Sequence, residues 1–278
     1  MLASSTLMPT PDHLSHALQE VRPGVWSPAV GVAEVSYPDA NHQTQAEFQV
    51  QSFWYQHRLR CLQQVFDQFP TPQLLDVGGS NGQLDRALPG VQVMLLEPGS
   101  TGVAYAEAQG LQPIIHADFH SANFHDQCLP AVGLFDVLEH IPDDEAFLQE
   151  VFRTLKPGGR LYLTVPAYQA LWSPFDEAVG HHRRYTLRTL GDKLRGAGFE
   201  VEYASYLFSW LPIPVWLLRK LRALRGQAKA DQQDHAPASQ GRGKWLMRLL
   251  GFEPRWIARK WRIPLGTSCL SVARKPQP

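Results

Sequence analysis

The sequence predicts an α/β domain built on a mostly parallel sheet with helices on both faces. Three observations predict it. Leu74-Leu75-Asp76-Val77-Gly78-Gly79-Ser80-Asn81-Gly82 is an apolar run that ends in an acid and passes at once into a glycine-rich turn. A buried parallel strand delivers its C-terminal end to a nucleotide-like ligand in this way. Val93-Met94-Leu95-Leu96-Glu97 repeats the apolar run ending in an acid, about 20 residues on, where a carboxylate can accept from ribose hydroxyls. Beyond it, apolar runs alternate with helical periodicity across turns such as Pro89-Gly90 and Lys156-Pro157-Gly158-Gly159. That order gives right-handed crossovers and places ligands at strand C-termini.

In chain order, residues 1–46 are rich in Pro, Ser, His and Gln without sustained periodicity and read as an irregular arm over the core. Phe48, Phe53, Trp54, Leu59, Leu62, Val65, Phe66 and Phe69 then recur at helical spacing as far as Pro70, an N-terminal helical cover. Strands are expected at 73–77, 92–96, 113–116, 132–137 and 159–165, and helices at 82–88, 100–109 and 143–155. Leu187 to Ala197 reads as a further helix stopped by Gly198, followed by strands over 199–206 and 268–273, which brings the sheet to seven strands. The sheet domain therefore covers 47–206 and 264–275, interrupted by an insertion over 207–263.

At 278 residues the chain is long enough for one large α/β domain with additions. Its formal net charge is zero, which is not the profile of a nucleic-acid binder. The charge is unevenly placed: between Arg219 and Arg262, twelve Lys and Arg stand against Asp231, Asp234 and Glu253. Cys61, Cys128 and Cys269 are far apart, with no spacing of a disulfide framework or zinc site, which favours a reducing compartment. The first 30 residues lack a basic start followed by an apolar core, so a cytoplasmic location is expected, peripheral on the inner face of the membrane if the insertion meets lipid.

Glycines let the turn after Asp76 fold tightly and let a ligand approach the backbone. No Lys lies within it to neutralise a phosphate chain, which points away from ATP. Taken alone the turn and Glu97 also suit a nicotinamide dinucleotide, and hence an NAD-dependent oxidoreductase.

The ordered set Asp76 to Gly82, Glu97, Asp118-Phe119, Phe135-Asp136-Val137-Leu138-Glu139-His140-Ile141 and Leu155-Lys156-Pro157-Gly158-Gly159-Arg160-Leu161 resembles the class I S-adenosylmethionine-dependent methyltransferases. The resemblance covers 47–206 and the final strand, and implies a Rossmann-like sheet with S-adenosylmethionine as cofactor. It implies that Gly78, Gly79, Ser80 and Gly82 run beneath the methionine part, that Asp76 orients its ammonium, and that Glu97 binds the ribose hydroxyls. It further implies that Asp118 accepts from the adenine amino group with Phe119 beside the ring, and that Asp136 and Glu139 shape the pocket. Ser80 departs from the family's usual middle glycine, which leaves a non-catalytic cofactor-binding protein as an alternative. Asp136, Glu139 and His140 also resemble the acidic-acidic-histidine cluster of quinone-pathway O-methyltransferases, some of which use a divalent ion; an acid at this strand end is common in metal-free relatives, and no metal is expected.

A second constellation follows the fifth strand: Trp172-Ser173-Pro174-Phe175-Asp176, then Gly180-His181-His182-Arg183-Arg184-Tyr185. His181 has the residue type of a general base, with Asp176 to hold its tautomer, and His140 is a rival base. Arg183 and Arg184, with Trp172 and Tyr185, are candidates for holding an anionic acceptor. The competing reading is a structural network that closes a lid over the cofactor. The segment looks like a subgroup of the family found in bacterial gene neighbourhoods for surface glycans, lipid-linked sugars and secondary products. It implies O-methylation of a small or lipid-linked acceptor, a glycan, quinone-like or secondary-product molecule.

The insertion opens with twelve uncharged residues, Leu207 to Leu218, too short to cross a bilayer. Five of the eight tryptophans lie between 210 and 261, among basic residues. This composition suits a membrane surface, contacted through 207–262; burial against the core, pairing of two subunits or a solvated basic face are the other readings. Residues 226–243 read as a mobile loop. Oligomeric state is not legible from the sequence.

Overall fold

The structure is a computed structural model that describes residues 10–29, 52–79, 82, 84, 87–214, 216–217 and 248–277. Ser80 and Asn81, the loop expected at 226–243 and residues 83, 85 and 86 of the helix expected at 82–88 lie outside the described residues.

The strands are β1 (Leu18–Arg22), β2 (Val25–Pro28), β3 (Gln73–Val77), β4 (Gln92–Leu96), β5 (Ile114–Ile115), β6 (Leu129–Phe135), β7 (Leu155–Pro166), β8 (Glu200–Leu207) and β9 (Ser268–Arg274). The helices are α1 (Pro11–Leu14), α2 (Phe53–Gln68), α3 (Ser100–Ala108), α4 (Asp144–Thr154), α5 (Pro174–Ala178), α6 (Leu187–Gly196) and α7 (Phe252–Ala258). All strands join one sheet in the order β1-β2-β5-β4-β3-β6-β7-β9-β8. The seven expected strands form its continuous part; β4, β3, β6 and β7 pair in parallel, and β9 runs antiparallel between β7 and β8.

Two strands were not expected. The described part of the N-terminal arm folds back at Pro23-Gly24, with Gly24 at φ +76°, and the hairpin adds β2 in parallel to β5. Buried Val25 and Trp26 cover what would otherwise be an open sheet edge. The arm is thus part of the sheet. Lys156 to Gly159, expected as a turn, lies within β7, where Gly158 at φ +79° accompanies a register shift against β6.

The core divides by the pleat of the strands. In β7, Leu161, Leu163 and Val165 face one apolar cluster and Tyr162 the other. The first cluster takes Leu148 and Val151 of α4 and Leu190 and Leu194 of α6; the second takes Cys61, Leu62, Val65 and Phe66 of α2 with Ile257 of α7. Each such side chain contributes about 1.5–3 kcal/mol on burial. α4 begins where the Asp143 carboxylate accepts from the Ala146 N–H at 3.0 Å, a cap worth about 1 kcal/mol. α6 begins on a capping box between Thr186 and Thr189 and ends before Gly198 at φ +98°.

In β3, Leu75 and Val77 face the first cluster and Leu74 the second, so Asp76 shares the face of Leu74, under α2. That register decides the electrostatics of the site.

Candidate active site

Because β3, β4, β5 and β6 are parallel neighbours, the residues at their C-terminal ends share one edge. Asp76 in β3, Glu97 after β4, Asp118 after β5 and Asp136 after β6 stand along it.

Asp76 is only 2% exposed. Burial pushes its carboxyl up to about 7; Arg58 opposes the shift and Glu97 adds to it. Its Oδ1 has no hydrogen-bond partner among the described residues. The turn above it needs glycine: Gly78 and Gly82 have φ of +65° and +62°, and a Cβ on Gly79 would lie 2.2 Å from Asp76 Oδ2 and 2.6 Å from Leu95 Cδ1. Glu97 is also buried, and its Oε1 accepts from the Gly99 N–H at 2.8 Å. Burial opposes ionisation of Asp118, yet hydrogen bonds from the Ser121 hydroxyl and N–H hold its carboxyl below the usual range. Phe119 is buried in the core beside Phe124 and Phe147.

Asp136 occupies left-handed backbone at φ +60°, a conformation that costs free energy in a non-glycine residue and recurs at functional sites. Its Oδ2 accepts from Arg58 and its Oδ1 from the Thr164 hydroxyl at 3.1 Å. Glu139 follows in the 3-10 turn Leu138–His140, 1% exposed, with neither carboxylate oxygen hydrogen-bonded among the described residues. Burial and the Asp136 charge push it well above the usual carboxylate range.

The second constellation folds against this turn. The His181 N–H donates to the Asp176 carbonyl and the His182 N–H to the Glu139 carbonyl, each at 2.8 Å. His181 Nδ1 lies 2.8 Å from Asp176 Oδ1, its Nε2 lies 3.9 Å from Glu139 Oε1, and its ring meets that of His140 edge-on at 4.7 Å. Burial and His181 lower His140 to about 4, so it is neutral at neutral pH. Asp176 is fully buried; burial would raise its carboxyl, but His181 and a two-point contact from Arg184 at 2.8 and 2.9 Å hold it well below the usual range.

The remaining expected residues lie apart from this cluster. Arg183 pairs with Asp144 at 3.1 Å and donates to the Ile141 and Pro142 carbonyls. The buried Tyr185 hydroxyl donates to Asp144 at 2.8 Å, and the Trp172 indole N–H to Glu177 at 3.3 Å. Both arginines are therefore engaged by carboxylates of the chain itself. Two residues that sequence reasoning did not assign belong to the site: Arg58, and Tyr55, whose hydroxyl is raised to about 12 by burial, with Arg58 opposing and Asp76 adding to the shift. Their three-residue spacing on one face of α2 is the signal that could have found them.

Chemically, the edge offers a row of carboxylates, a glycine turn open to backbone approach, and a buried carboxyl beside two imidazoles. The donor atoms of Glu139, His140 and His181 lie within 4.8 Å of one another, as do those of His57, Cys61 and Glu253, so either group could hold a metal ion. Asp136, turned to Arg58 and Thr164, does not join them.

Residues 75–163 match the model of a family described as a methyltransferase domain. The chain carries, over these residues, the sequence pattern of a methyltransferase domain. Its fold is that of the class I S-adenosylmethionine-dependent methyltransferases. The match takes in the β3 turn, the acids of β4, β5 and β6, and Glu139-His140, and it decides against the nicotinamide reading.

Two ubiquinone biosynthesis O-methyltransferases resemble the methyltransferase domain. One, from Xanthomonas oryzae pv. oryzae, is 32% identical over 100 residues, 33% of this chain and 42% of the relative. The other, from Xanthomonas axonopodis pv. citri, is 29% identical over 154 residues, 48% of this chain and 64% of the relative. The matches thus span less than two thirds of either relative. Among solved structures, a chain from the complex of the Haloferax volcanii Trm112 methyltransferase activator aligns with a TM-score of 0.58 at 17% identity, over 87% of this chain and all of that one. Haemonchus contortus phosphoethanolamine N-methyltransferase 2 in complex with S-adenosyl-L-methionine aligns with a TM-score of 0.53 at 18% identity, over 88% of this chain and 61% of that one.

The family's cofactor is S-adenosylmethionine, and the methyltransferase domain fits it. The cofactor carries two cationic centres, an ammonium and a sulfonium. Asp76 Oδ1, without a hydrogen-bond partner among the described residues, lies under a turn that has no room for a Cβ on Gly79, and Glu97 stands at the next strand tip.

Proposed function

We propose that the chain transfers a methyl group from S-adenosylmethionine to an oxygen of a small or lipid-linked metabolite. The observation that carries the reading is the buried Asp76 carboxyl beneath the Gly78-Gly79 turn, beside Glu97, with no hydrogen-bond partner for its Oδ1 among the described residues. Asp76 orients the ammonium end, Glu97 takes the ribose hydroxyls, and Gly78, Gly79 and Gly82 form the floor beneath the methionine part. Asp118, with Phe119 behind it, marks the adenine side; Asp136 and Glu139 bound the pocket from β6. S-adenosylmethionine supplies a methyl group already activated on a sulfonium, so the protein has to align the acceptor, exclude water and remove a proton.

His181 is the base. With Asp176 accepting from Nδ1–H at 2.8 Å, the neutral ring carries its lone pair on Nε2, 3.9 Å from Glu139 Oε1 in a side chain only 10% exposed. His140, kept neutral by burial, is the rival. Asp176 acts as a positioning residue, locked by Arg184 and by the Ser173 N–H at 2.8 Å. Arg183, Tyr185 and Trp172 brace the segment that carries His181, with Asp144 and Glu177 as their partners.

The two quinone-pathway relatives favour an oxygen acceptor, and the apolar, basic residues over 207–262 favour an amphiphilic one met at the inner membrane surface. The test is transfer of labelled methyl from S-adenosylmethionine into fractionated metabolite and lipid extracts. Labelled product in the organic phase is expected. Calorimetric binding of NAD in place of S-adenosylhomocysteine, or cofactor binding with no labelled product from any fraction, would count against it.

A further inference from the structure

We infer that the face formed by the start of the insertion, α7 and the adjacent side of α2 docks on an anionic phospholipid surface. The inference goes beyond methyl transfer and rests on the proposed function only in suiting a lipid-linked acceptor.

Eight large apolar residues are exposed among the described residues, and seven of them lie between Trp210 and Leu265. Trp210 is 59%, Ile213 68% and Trp261 53% exposed. Scattered apolar residues on a surface need no explanation, whereas a concentration of them marks a contact. This concentration is held together in space. Glu253 of α7 accepts the N–H groups of Phe208 at 3.0 Å and Ser209 at 2.7 Å, fixing the start of the apolar segment to α7. The Tyr203 hydroxyl donates to the Trp261 carbonyl, and Trp261 meets Trp256 edge-on at 5.7 Å. β8 runs parallel to the central strands, so the segment that leaves Leu207 starts from the same sheet edge that carries Asp76 and Glu97.

Beside this rim, α2 and α7 enclose a groove of about 470 Å³ lined by Arg60, Arg255 and Arg259 together with Gln63 and Gln64. Among the described residues no carboxylate forms an ion pair with any of the three arginines. Arg259 instead lies 5.5 Å from the centre of the Trp261 ring. All three arginines are exposed along the groove, where a phosphate layer can reach them. Tryptophan beside arginine is the pairing suited to the headgroup layer. No described helix is long and apolar enough to cross a membrane, so the contact is with the surface.

Headgroup phosphates would meet Arg60, Arg255 and Arg259, with Trp210, Ile213 and Trp261 reaching the acyl boundary. A nucleic acid would leave the apolar rim uncovered. A second copy of the chain, related by a two-fold axis, would set like charge against like charge.

The test is flotation of the full chain with vesicles of phosphatidylcholine alone and with phosphatidylglycerol added, at low and high salt. Binding to the anionic vesicles is expected, stronger at low salt, with little binding to the neutral ones. Arg60→Ala, Arg255→Ala and Arg259→Ala should each weaken it about fivefold, and the triple variant roughly a hundredfold. Trp261→Ala should weaken binding at both salt concentrations. S-adenosylhomocysteine affinity, unchanged in every variant, reports that the fold and cofactor site are intact. No binding to either vesicle overturns the inference, as does anionic binding that the triple variant retains. A dimer dispersed by Trp261→Ala, or arginine-dependent binding of an oligonucleotide without vesicle binding, also overturns it. Vesicle binding without methyl transfer to any acceptor would instead count against the proposed function alone.

Discussion

His181 Nδ1 lies 2.8 Å from Asp176 Oδ1, and Arg184 holds the same carboxylate with two parallel hydrogen bonds. One buried acid therefore fixes both the orientation of an imidazole and the chain segment that carries it. If His181 is the base, His181→Ala should lower kcat by a factor of about 10²–10⁴, with S-adenosylhomocysteine affinity unchanged. Asp176→Asn should lower kcat and displace the acid limb of the pH–rate profile. A loss below tenfold in His181→Ala, with His140→Ala inactive, would transfer the role to His140.

The Asp76 carboxyl titrates near pH 7 in the fold against a usual value of 3.8, chiefly because it is buried. It binds its proton more tightly folded than unfolded. The stability this contributes is present in full below pH 4 and is lost as pH rises to about 7, a change of up to roughly 4 kcal/mol. Thermal melts of the cofactor-free protein should show Asp76→Asn losing less stability than the wild type across that window. Binding of the cationic cofactor selects ionised Asp76, so its affinity should rise with pH up to about 7. Calorimetry at pH 6 in buffers of different ionisation enthalpy should record proton release on binding.

Gly79→Ala places a Cβ 2.2 Å from Asp76 Oδ2 and 2.6 Å from Leu95 Cδ1. The backbone there is not left-handed, so the effect comes from displacing the carboxylate rather than from strain. Cofactor affinity should fall at least about tenfold, and the far-ultraviolet circular dichroism should be unchanged. Wild-type affinity would exclude Asp76 from the cofactor site.

Glu253 accepts from His57 Nε2 at 2.8 Å and from the Phe208 and Ser209 N–H groups that follow β8, with Glu253, His57 and Phe208 buried. Glu253→Ala leaves these donors unpaired and should cost about 3–5 kcal/mol in denaturant unfolding. Native proteolysis should then begin near 208–217, ahead of the sheet.

The sequence by itself determined the central sheet. Leu74 to Val77 and Val93 to Leu96 are short apolar runs whose neighbours supply turns, and the acid that ends each run is fixed in place by chain direction alone. Parallel pairing then brings Asp76, Glu97, Asp118 and Asp136 to one edge without any further information. The N-terminal hairpin was less legible, because Pro23-Gly24 signals a turn but not that β2 completes the edge beside β5, nearly ninety residues away.

Only the tertiary structure decided the electrostatics. Arg58 is one of two arginines on a helix that reads as a simple cover, and the register of β3 under α2 is what turns it toward Asp136 and buries Asp76. Arg183 and Arg184 are adjacent and read alike, yet one closes on Asp144 and the other on Asp176. Periodicity is a local property that each segment carries alone. The partner of a charged side chain is set by where two distant segments cross, and burial there decides whether that charge is stabilised, neutralised or left to bind a ligand.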